Sequence, residues 1–423
     1  MTTIMLTQYS GSILGPIARF LGWIMNWIYL FLENVFGIEN IGLTIIVLTI
    51  LIYMCMLPLT IKQQKFSKLQ QRMQPELKAI QEKYKGRRDQ EAQMAMNEET
   101  QALYAKYGIS PSGTCLQLII QMPVFFALYR VIYNVPAYVS SVKDTFSGIV
   151  DGIVGTAGYQ KIMTDFVETM KLGSINADFQ NSDIAAVKNY IIDAIYKMAT
   201  TGWDTLREVF PNLTEIINTT EVQLNHMNNF LGMNISDSPF AIISSSVKSH
   251  SYLFVLLALL VPITSYATQM INIKLMPQAD TDPNSVMSRQ MKTMNYTMPL
   301  FSLVLCFTVP VGLGIYWIFS SLTRCVQQFF VNKHIQNLDL DAVIAKNLEK
   351  RKKKLEKMGI SENQIRNTAK LSTKGNVQLS SAMTKEERET KIQKAYEYRK
   401  TANPNSLTAK ANLVKEFSER NNK

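Results

Sequence analysis

The residues of this chain that could do chemistry are amides and hydroxyls placed inside long apolar segments. Gln117 and Gln121 lie one helical turn apart in one such segment, and polar side chains recur in the others. The candidate set is Thr49, Tyr53, Gln117, Gln121, Thr264, Thr268, Gln269, Trp317, Ser320 and Arg324. Amides and hydroxyls hydrogen-bond to water and to peptide groups, so this pattern favours solvation of a polar chain within apolar surroundings.

Other kinds of chemistry find no support in the remaining residues. The four cysteines fall inside apolar runs without metal or disulfide spacing, and the three histidines are scattered. No glycine-rich phosphate loop of the Walker type is present. The apolar segments contain no Asp or Glu, which disfavours an ion-coupled or proton-coupled transporter. We therefore expect no cofactor, no metal and no enzyme activity.

Segment 41–61 is the element that positions the rest. Its 21 residues carry no charge, and Lys62 and Lys65 follow. A bilayer core needs about 20 apolar helical residues, and lysines just after a span mark its cytoplasmic end. Pro310 separates two further crossings in the last apolar run. Five spans are predicted in all, at 41–61, at 112–139, at 250–273 and as a pair within 294–331.

Net charge alternates along the loops between these spans. It is +4 after the first span, −5 after the second, +1 after the third and +10 in the C-terminal tail. Because basic loops stay in the cytoplasm, this pattern places the N-terminus outside and the C-terminus inside. The predicted segments are a cytoplasmic helical hairpin at 62–111, an acidic extracellular loop at 140–249, a cytoplasmic loop at 274–293 and a basic cytoplasmic tail at 332–423.

The N-terminal segment 1–40 contains an aromatic-rich stretch at 13–36 that also carries Arg19 and Glu33. Two interpretations fit this stretch: an amphipathic helix lying in the membrane interface, or a sixth span. We favour the interfacial helix.

The polar residues of the predicted spans cluster on the cytoplasmic side. The outer halves, such as 252–260 and 303–307, are almost wholly apolar. Polar residues in spans also form interhelical hydrogen bonds, and this alternative stays open for each residue taken singly. A shared bias to one leaflet is better explained by a groove. The sequence thus predicts an all-α polytopic membrane protein with five transmembrane helices around an inner-leaflet hydrophilic groove, a cytoplasmic helical hairpin and an enlarged extracellular loop.

Two further surfaces are candidates for contact with partners. The hairpin carries an apolar stripe that suits promiscuous contact with apolar substrate segments, or packing on the membrane surface: Phe66, Leu69, Met73, Leu77, Met94 and Met96. The tail carries a basic run that suits ribosomal RNA phosphates or anionic lipid, or that is simply solvated: Lys350, Arg351, Lys352, Lys353 and Lys354.

Four runs of this sequence resemble the YidC/Oxa/Alb family of membrane protein insertases in its five-span bacterial form. They are GLTIIVLTILIYMCMLPLTIKQQKFSKLQQRMQPELKAIQEKY, YGISPSGTCLQLIIQMPVFFALYRVIYN, FLGMNISDSP and VPVGLGIYWIFSSLTRCVQQFFVNK. The resemblance implies a bacterial plasma-membrane insertase and chaperone for small or single-span membrane proteins, acting without nucleotide hydrolysis. Expected partners are nascent membrane proteins, membrane lipids, the protein-translocase channel and the ribosome. A small-solute channel or transporter is the alternative function, and a structural scaffold is a third class.

The resemblance also assigns groove positions and shows one departure. Gln269 and Trp317 match groove positions of the third and fifth spans. Many relatives carry an arginine five residues before the proline of the LPL run, whereas this chain has Tyr53 five residues before Pro58. A mechanism in which that cation attracts an acidic substrate tail therefore needs another source of charge. Arg324 is the candidate.

Overall fold

The structure is a computed structural model and describes residues 8, 11–87, 89–109, 113–172, 177–198, 200, 202–276, 286–336 and 339–357. Side-chain placement is described for these residues except 113–118, 120, 286–292, 351, 352 and 354–357. Regular structure in the described ranges is helical apart from one two-stranded antiparallel hairpin. The predicted all-α class is confirmed.

The helices follow one another in chain order with few long gaps. They are α1 (Leu14–Phe36), α2 (Ile41–Lys83), α3 (Gln90–Lys106), α4 (Gly113–Tyr133), α5 (Ser140–Asp144), α6 (Ser147–Val154), α7 (Tyr159–Thr169), α8 (Ile184–Lys197), α9 (Gly202–Val209), α10 (Thr214–Asn228), α11 (Pro239–Lys248), α12 (Tyr252–Leu275), α13 (Val286–Cys306), α14 (Val311–Gln336) and α15 (Leu340–Lys357). Strands β1 (Asn229–Phe230) and β2 (Met233–Asn234) lie between α10 and α11. Short 3-10 turns occur at Val135–Ala137 and Pro211–Leu213.

The chain divides into two compact units. The first comprises Met1–Ala79 and Ile109–Val343, and the second comprises Ile80–Gly108 and Ile344–Lys423. The second unit contains α3 and most of α15. At Gly108, just after α3, an added Cβ would lie 2.7 Å from the Cβ of Asn347. Glycine therefore allows the backbone to approach α15 at this point.

Helix α3 is capped at both ends. The side chain of Asp89 accepts a hydrogen bond from the Ala92 backbone N–H at 3.1 Å, which caps the N-terminus. Tyr107 closes the C-terminus, and Gly108 follows with φ of 63° in the left-handed region. Glu99 accepts hydrogen bonds from Lys83 and Tyr84 within the same unit.

Helix α2 is one continuous helix of 43 residues with Pro58 and Pro75 inside it. The predicted first span, 41–61, and the start of the predicted hairpin at Lys62 both lie within this helix. Neither proline ends the helix, since a helix interior tolerates proline where the freed carbonyl group finds another partner. The first span and the first arm of the hairpin are therefore one element.

In the first unit, the side chain of Val261 from α12 packs directly on a glycine of α14. A Cβ at Gly314 would lie 2.5 Å from Val261 of α12, closer than real Cβ contacts. A Cβ at Gly312 would lie 3.3 Å from Ile45 of α2 and 3.4 Å from Ile132 of α4. Four helices thus meet at the start of α14, where small residues permit close approach.

The break between α13 and α14 is closed by the segment that precedes α11. Pro310 lies in this break and cannot donate a backbone hydrogen bond. The Val311 N–H donates to the Asp237 carbonyl at 2.8 Å, and the Phe240 N–H donates to the Phe307 carbonyl at 3.0 Å. The predicted helix break near Pro310 is confirmed. So is the ordered segment predicted at 230–239.

Helix α1 is amphipathic in the structure. Met25 and Tyr29 are fully buried, whereas Trp23 and Trp27 are 57% and 61% exposed. Gly22 lies against Tyr138, so closely that no larger residue fits without movement. One face of α1 therefore packs on the protein and the other presents indole rings outward, as an interfacial helix requires.

Among the helices that the structure describes, α2 and α12 are long and apolar enough to cross a bilayer. Leu256 and Ile263 of α12 are more than half exposed, as are Phe301 and Val304 of α13. A soluble monomer rarely exposes contiguous apolar surface of this extent, so these faces mark a membrane-facing side.

Helices α5 to α11 form a helical region with its own buried side chains. Phe146, Phe166, Trp203 and Leu206 are 5% exposed or less. They belong to one continuous apolar core with the outer end of α4. The predicted extracellular loop is therefore a packed helical structure that extends the core of the first unit.

A buried carboxyl group lies within this region. Asp193 of α8 is 3% exposed, and burial raises its pKa to about 6, with a partial opposing effect from Lys197 one turn later. Burial lowers the pKa of Lys197, whose Nζ lies 5.4 Å from the ring centroid of Tyr133. The folded state thus favours the protonated form of Asp193.

We predict that α8 becomes less stable as pH rises through the folded pKa of Asp193. Because that pKa exceeds its unfolded value, the stabilisation is complete at low pH and is lost toward neutral pH. It amounts to about 3 kcal/mol. Asp193→Asn removes this dependence. Hydrogen–deuterium exchange of α8 amides, corrected for intrinsic rates, measures it. Asp183→Asn keeps the α8 N-cap and is the control; an unchanged profile in Asp193→Asn contradicts the assignment.

Candidate functional site

A polar recess lies between α2, α4, α12 and α14 in the first unit. It holds a cavity of about 60 Å³ that is open to the surroundings. Its lining contains the guanidinium group of Arg324 and the phenol of Tyr53. It also contains six side-chain amides, those of Gln63, Gln64, Gln121, Asn272, Gln327 and Gln328. Amides both donate and accept hydrogen bonds, so the recess suits a ligand with polar groups of both kinds.

One chain of amides connects α2 to the end of α12 by way of α14. Gln64 Nε2 donates to Gln328 Oε1 at 2.6 Å, and Gln328 Nε2 donates to Asn332 Oδ1 at 2.6 Å. Asn332 Nδ2 then donates to the Leu275 carbonyl at 3.3 Å. Gln64 and Gln328 are 3% and 4% exposed, so this relay is buried at its start and becomes partly exposed at Asn332. Buried polar groups stabilise a packing arrangement only when they form hydrogen bonds. In the relay, the side-chain N–H of each residue that faces the next residue donates a hydrogen bond to it.

A second amide contact lies next to the proline of α2. Gln327 Nε2 donates to the Tyr53 carbonyl at 2.7 Å. Pro58 has no N–H, so the Met54 carbonyl, four residues earlier, lacks its usual helical donor. The Tyr53 carbonyl lies next to it in the chain. Gln327 therefore fixes α14 to the turn of α2 that precedes the proline.

The phenol of Tyr53 links three helices. Its hydroxyl accepts a hydrogen bond from Gln121 Nε2 of α4 at 3.3 Å. The guanidinium carbon of Arg324 lies 5.7 Å from the centroid of its ring, which is a cation–π contact. Arg324 also donates to the Ser320 carbonyl at 3.3 Å and to the Ser321 hydroxyl at 3.4 Å. Within the described ranges it forms no ion pair. The recess thus keeps a positive charge without a bound carboxylate.

A smaller polar cluster lies on α12 and α13. Gln269 Nε2 donates to the Ser265 hydroxyl at 3.0 Å, and the Ser302 hydroxyl donates to Gln269 Oε1 at 2.9 Å. The Thr268 hydroxyl bonds back to the Thr264 carbonyl at 2.9 Å. These residues are partly buried, and the hydrogen bonds connect α12 to itself and to α13. They have the form of the interhelical contacts that the sequence analysis kept as the alternative.

The structure brings together part of the predicted site. Tyr53, Gln121 and Arg324 line the recess. Thr49 and Ser320 are 1% and 2% exposed, and their hydroxyls bond to carbonyls of their own helices at 2.6 and 3.0 Å. They do not line it, and neither do the remaining predicted residues with described side chains: Thr264, Thr268, Gln269 and Trp317. The side chain of Gln117 lies outside the described residues.

Five amides of the recess are absent from the predicted set. Gln64 lies 11 residues after Tyr53 on α2, which is about three helical turns and so the same face. Gln327 lies three residues after Arg324 on α14, again on one face. This spacing is the sequence signal that could have identified both. The predicted first span ends at Ile61, which assigns Gln64 to the hairpin segment 62–111 and not to the groove.

The hairpin stripe is largely buried. Leu69, Met73 and Leu77 are 2%, 0% and 9% exposed. An open surface for catching substrates therefore cannot include them, and this part of the prediction is corrected to a packed face. Phe66 and Met96 are half-buried, and Met94 is 39% exposed.

The basic run lies on α15. Lys350 and Lys353 are exposed, and Lys353 forms an ion pair with Glu349 at 2.6 Å. The side chains of Arg351, Lys352 and Lys354 lie outside the described residues, as does the chain after Lys357.

No group of three or more metal-ligating side chains occurs among the residues that the structure describes. A resident metal ion is therefore not assigned to the recess.

Comparison with known proteins identifies similar chains. The family model described as "60Kd inner membrane protein" matches residues 31–338. The membrane protein insertase YidC 1 of Halalkalibacterium halodurans is 41% identical over 108 residues, 26% of this chain and 41% of that protein. The membrane protein insertase MisCA of Bacillus subtilis is 42% identical over 99 residues, 23% of this chain and 38% of that protein.

A longer match extends over most of the chain. The membrane protein insertase YidC of Fusobacterium nucleatum is 25% identical over 297 residues, 70% of this chain and 88% of that protein. In contrast, the matches to the Halalkalibacterium and Bacillus proteins span about two fifths of those relatives.

We predict that the ring of Tyr53, more than its hydroxyl group, holds Arg324 in place. Tyr53→Phe removes the bond from Gln121 and lowers the free energy of unfolding by about 1 kcal/mol. Tyr53→Leu also removes the cation–π contact and lowers it by a further ~1 kcal/mol. Thermal unfolding of the purified protein in detergent measures both. Equal values for the two variants would show that the ring face contributes nothing.

Proposed function

Since the chain belongs to the family of the 60Kd inner membrane protein, we propose that it is a membrane protein insertase and chaperone. It inserts and folds small or single-span membrane proteins in the bacterial plasma membrane, and it does so without nucleotide hydrolysis. The observation that carries this proposal is the recess of six amides and one unpaired guanidinium among apolar helices. The names of the relatives agree with it.

The physical problem for an insertase is the polar part of its substrate. A peptide group that loses its hydrogen bonds in hydrocarbon costs several kcal/mol, and a short polar tail contains many such groups. A recess that supplies hydrogen bonds part of the way across the bilayer shortens the path on which these groups are unsatisfied. The apolar segment that follows then enters the lipid by burial of its own apolar surface.

In the membrane arrangement that we propose, five spans surround this recess as an inner-leaflet groove, with the N-terminus outside and the C-terminus in the cytoplasm. The alternation of loop charge supports the orientation. The exposed apolar faces of α12 and α13 support contact with lipid. The exposed tryptophans of α1 support an interfacial position for that helix.

Arg324 supplies the positive charge of the groove in this proposal. Its guanidinium stacks on Tyr53, the position at which related chains carry an arginine on the first span. The charge therefore occupies the same neighbourhood from α14 in place of α2. An acidic residue in a substrate tail would find there a cation without a competing carboxylate.

The alternative of a small-solute channel or transporter gains no support. The relatives are named insertases, and the described recess contains no carboxylate to couple an ion.

We expect photo-crosslinkers placed at Tyr53, Gln63 and Gln121, which line the recess, to trap nascent membrane proteins during their insertion. A crosslinker at Leu256, which is 57% exposed on the apolar part of α12, is the control and should trap lipid. Mass spectrometry of the adducts from cells identifies the trapped molecule. Capture of lipid alone at all three test positions would reject the insertase proposal.

We propose two further partners for this chain, the ribosome and the protein-translocase channel. The basic tail has a net charge of +10, and Lys350 is exposed on α15. Basic side chains bind RNA phosphates with strong salt dependence. For the translocase channel, the support is the substrate class that an insertase shares with it.

Full-length protein should co-sediment with ribosomes at low salt and lose this association steeply as salt rises. A variant truncated after Leu348 lacks the basic run and should not co-sediment. Flotation of both forms with vesicles containing phosphatidylglycerol tests the lipid alternative. Equal co-sedimentation of the two forms would remove the ribosome from the partners of the tail.

A further inference from the structure

The orientation of each amide in the buried relay is fixed by its last acceptor. The Leu275 carbonyl can only accept, so Asn332 must direct its Nδ2 toward it. Asn332 Oδ1 then accepts from Gln328, and Gln328 Oε1 accepts from Gln64. The remaining atom at the start of the relay is therefore the oxygen of Gln64. It is buried and has no hydrogen-bond partner.

The same reasoning applies to Gln327. The Tyr53 carbonyl can only accept, so Gln327 directs Nε2 toward it and leaves Oε1 free. This oxygen is also buried without a hydrogen-bond partner. Gln64 and Gln327 are 3% and 6% exposed, and both line the recess. Two hydrogen-bond networks on different acceptors thus end in the same way, with an unpaired oxygen at one cavity.

An unpaired buried acceptor costs about 1 to 3 kcal/mol, so two in one cavity indicate a ligand that donates hydrogen bonds. Arg324 lies in the same recess and limits which ligands can bind there. Its guanidinium has five N–H groups and forms two hydrogen bonds within the described structure. It repels a cationic ligand and offers donors to a carbonyl group. The ligand that fits is neutral and carries both N–H and C=O groups.

We propose that Gln64 Oε1 and Gln327 Oε1 accept hydrogen bonds from backbone N–H groups of an extended polypeptide segment in the recess. The inference rests on the proposed insertase function and adds the way in which the substrate is recognised. Carbonyl groups of the same segment face the free N–H groups of Arg324. Recognition through the backbone is independent of side chains, which suits a protein that must accept many different polar tails.

The test replaces backbone N–H groups of the substrate and the oxygens of the recess together. The substrate is a synthetic single-span peptide with a short uncharged tail of alanine and serine. In a series of analogues, each tail alanine is replaced by lactic acid, so that an ester oxygen stands in place of one N–H. Insertion into vesicles of phosphatidylethanolamine and phosphatidylglycerol containing the purified full-length protein is measured by protease protection.

Two variants separate binding from structure. Gln64→Met removes one of the two free oxygens. Asn26→Met removes an amide whose oxygen accepts two hydrogen bonds from Ser140; it lies on α1, outside the lining of the recess, and is the control. Gln64→Met is combined with Gln327→Met for the full loss of both acceptors, and thermal unfolding confirms that each variant is folded.

At its most sensitive positions, the ester series should lower insertion about tenfold with wild-type protein and with Asn26→Met. With the Gln64→Met and Gln327→Met double variant, the all-amide peptide should insert about tenfold less well, and the esters should have no further effect. An equal ester effect in all proteins would overturn the proposal. So would an effect of the double variant that disappears when phosphatidylcholine replaces phosphatidylethanolamine, which would assign the oxygens to the lipid ammonium group. Failure of wild-type protein to insert even the all-amide peptide would instead reject the insertase function itself.

Discussion

One hydrogen bond, from Gln327 of α14 to the Tyr53 carbonyl of α2, holds the polar site in its present form. It joins α14 to the backbone of α2 in the turn that precedes Pro58. It also brings Arg324, one turn before Gln327, over the ring of Tyr53. The bond between Gln64 and Gln328 joins the same two helices further along. The recess thus lies where polar side chains of α14 bind to α2.

Helices α5 to α11 contribute to the same arrangement at a distance from the recess. The segment before α11 supplies hydrogen bonds to the break between α13 and α14. An unwound stretch of backbone near an apolar surrounding needs such partners, because lipid offers none. The buried core continues from α4 into α5 to α11 without interruption. The enlarged segment between α4 and α12 therefore supports the helices and is not merely a connection between them.

Much of the fold could be predicted from the sequence, because long apolar runs, glycines and prolines act locally. The limits of α3 followed from Asp89 and Gly108, and the break before α14 followed from Pro310. The site was harder to predict. Tyr53, Gln121 and Arg324 were identified as groove residues, and all three line the recess. Polarity alone did not separate them from Thr49 and Ser320, whose hydroxyls bond to their own helices. That difference depends on tertiary packing, which composition and spacing do not contain.

The glycines at the start of α14 determine which wall of the recess is able to give way. At Gly314 the side chain of Val261 from α12 packs where a Cβ would lie, so α12 and α14 are held together by a close apolar contact. The opposite wall, α2, is joined to α14 by side-chain amides whose hydrogen bonds can be exchanged for others. An incoming chain would therefore widen the space between α2 and α14 while α12 and α14 move as one body. The recess thus has one wall, α12 with α14, that keeps its packing, and one wall, α2, that can move.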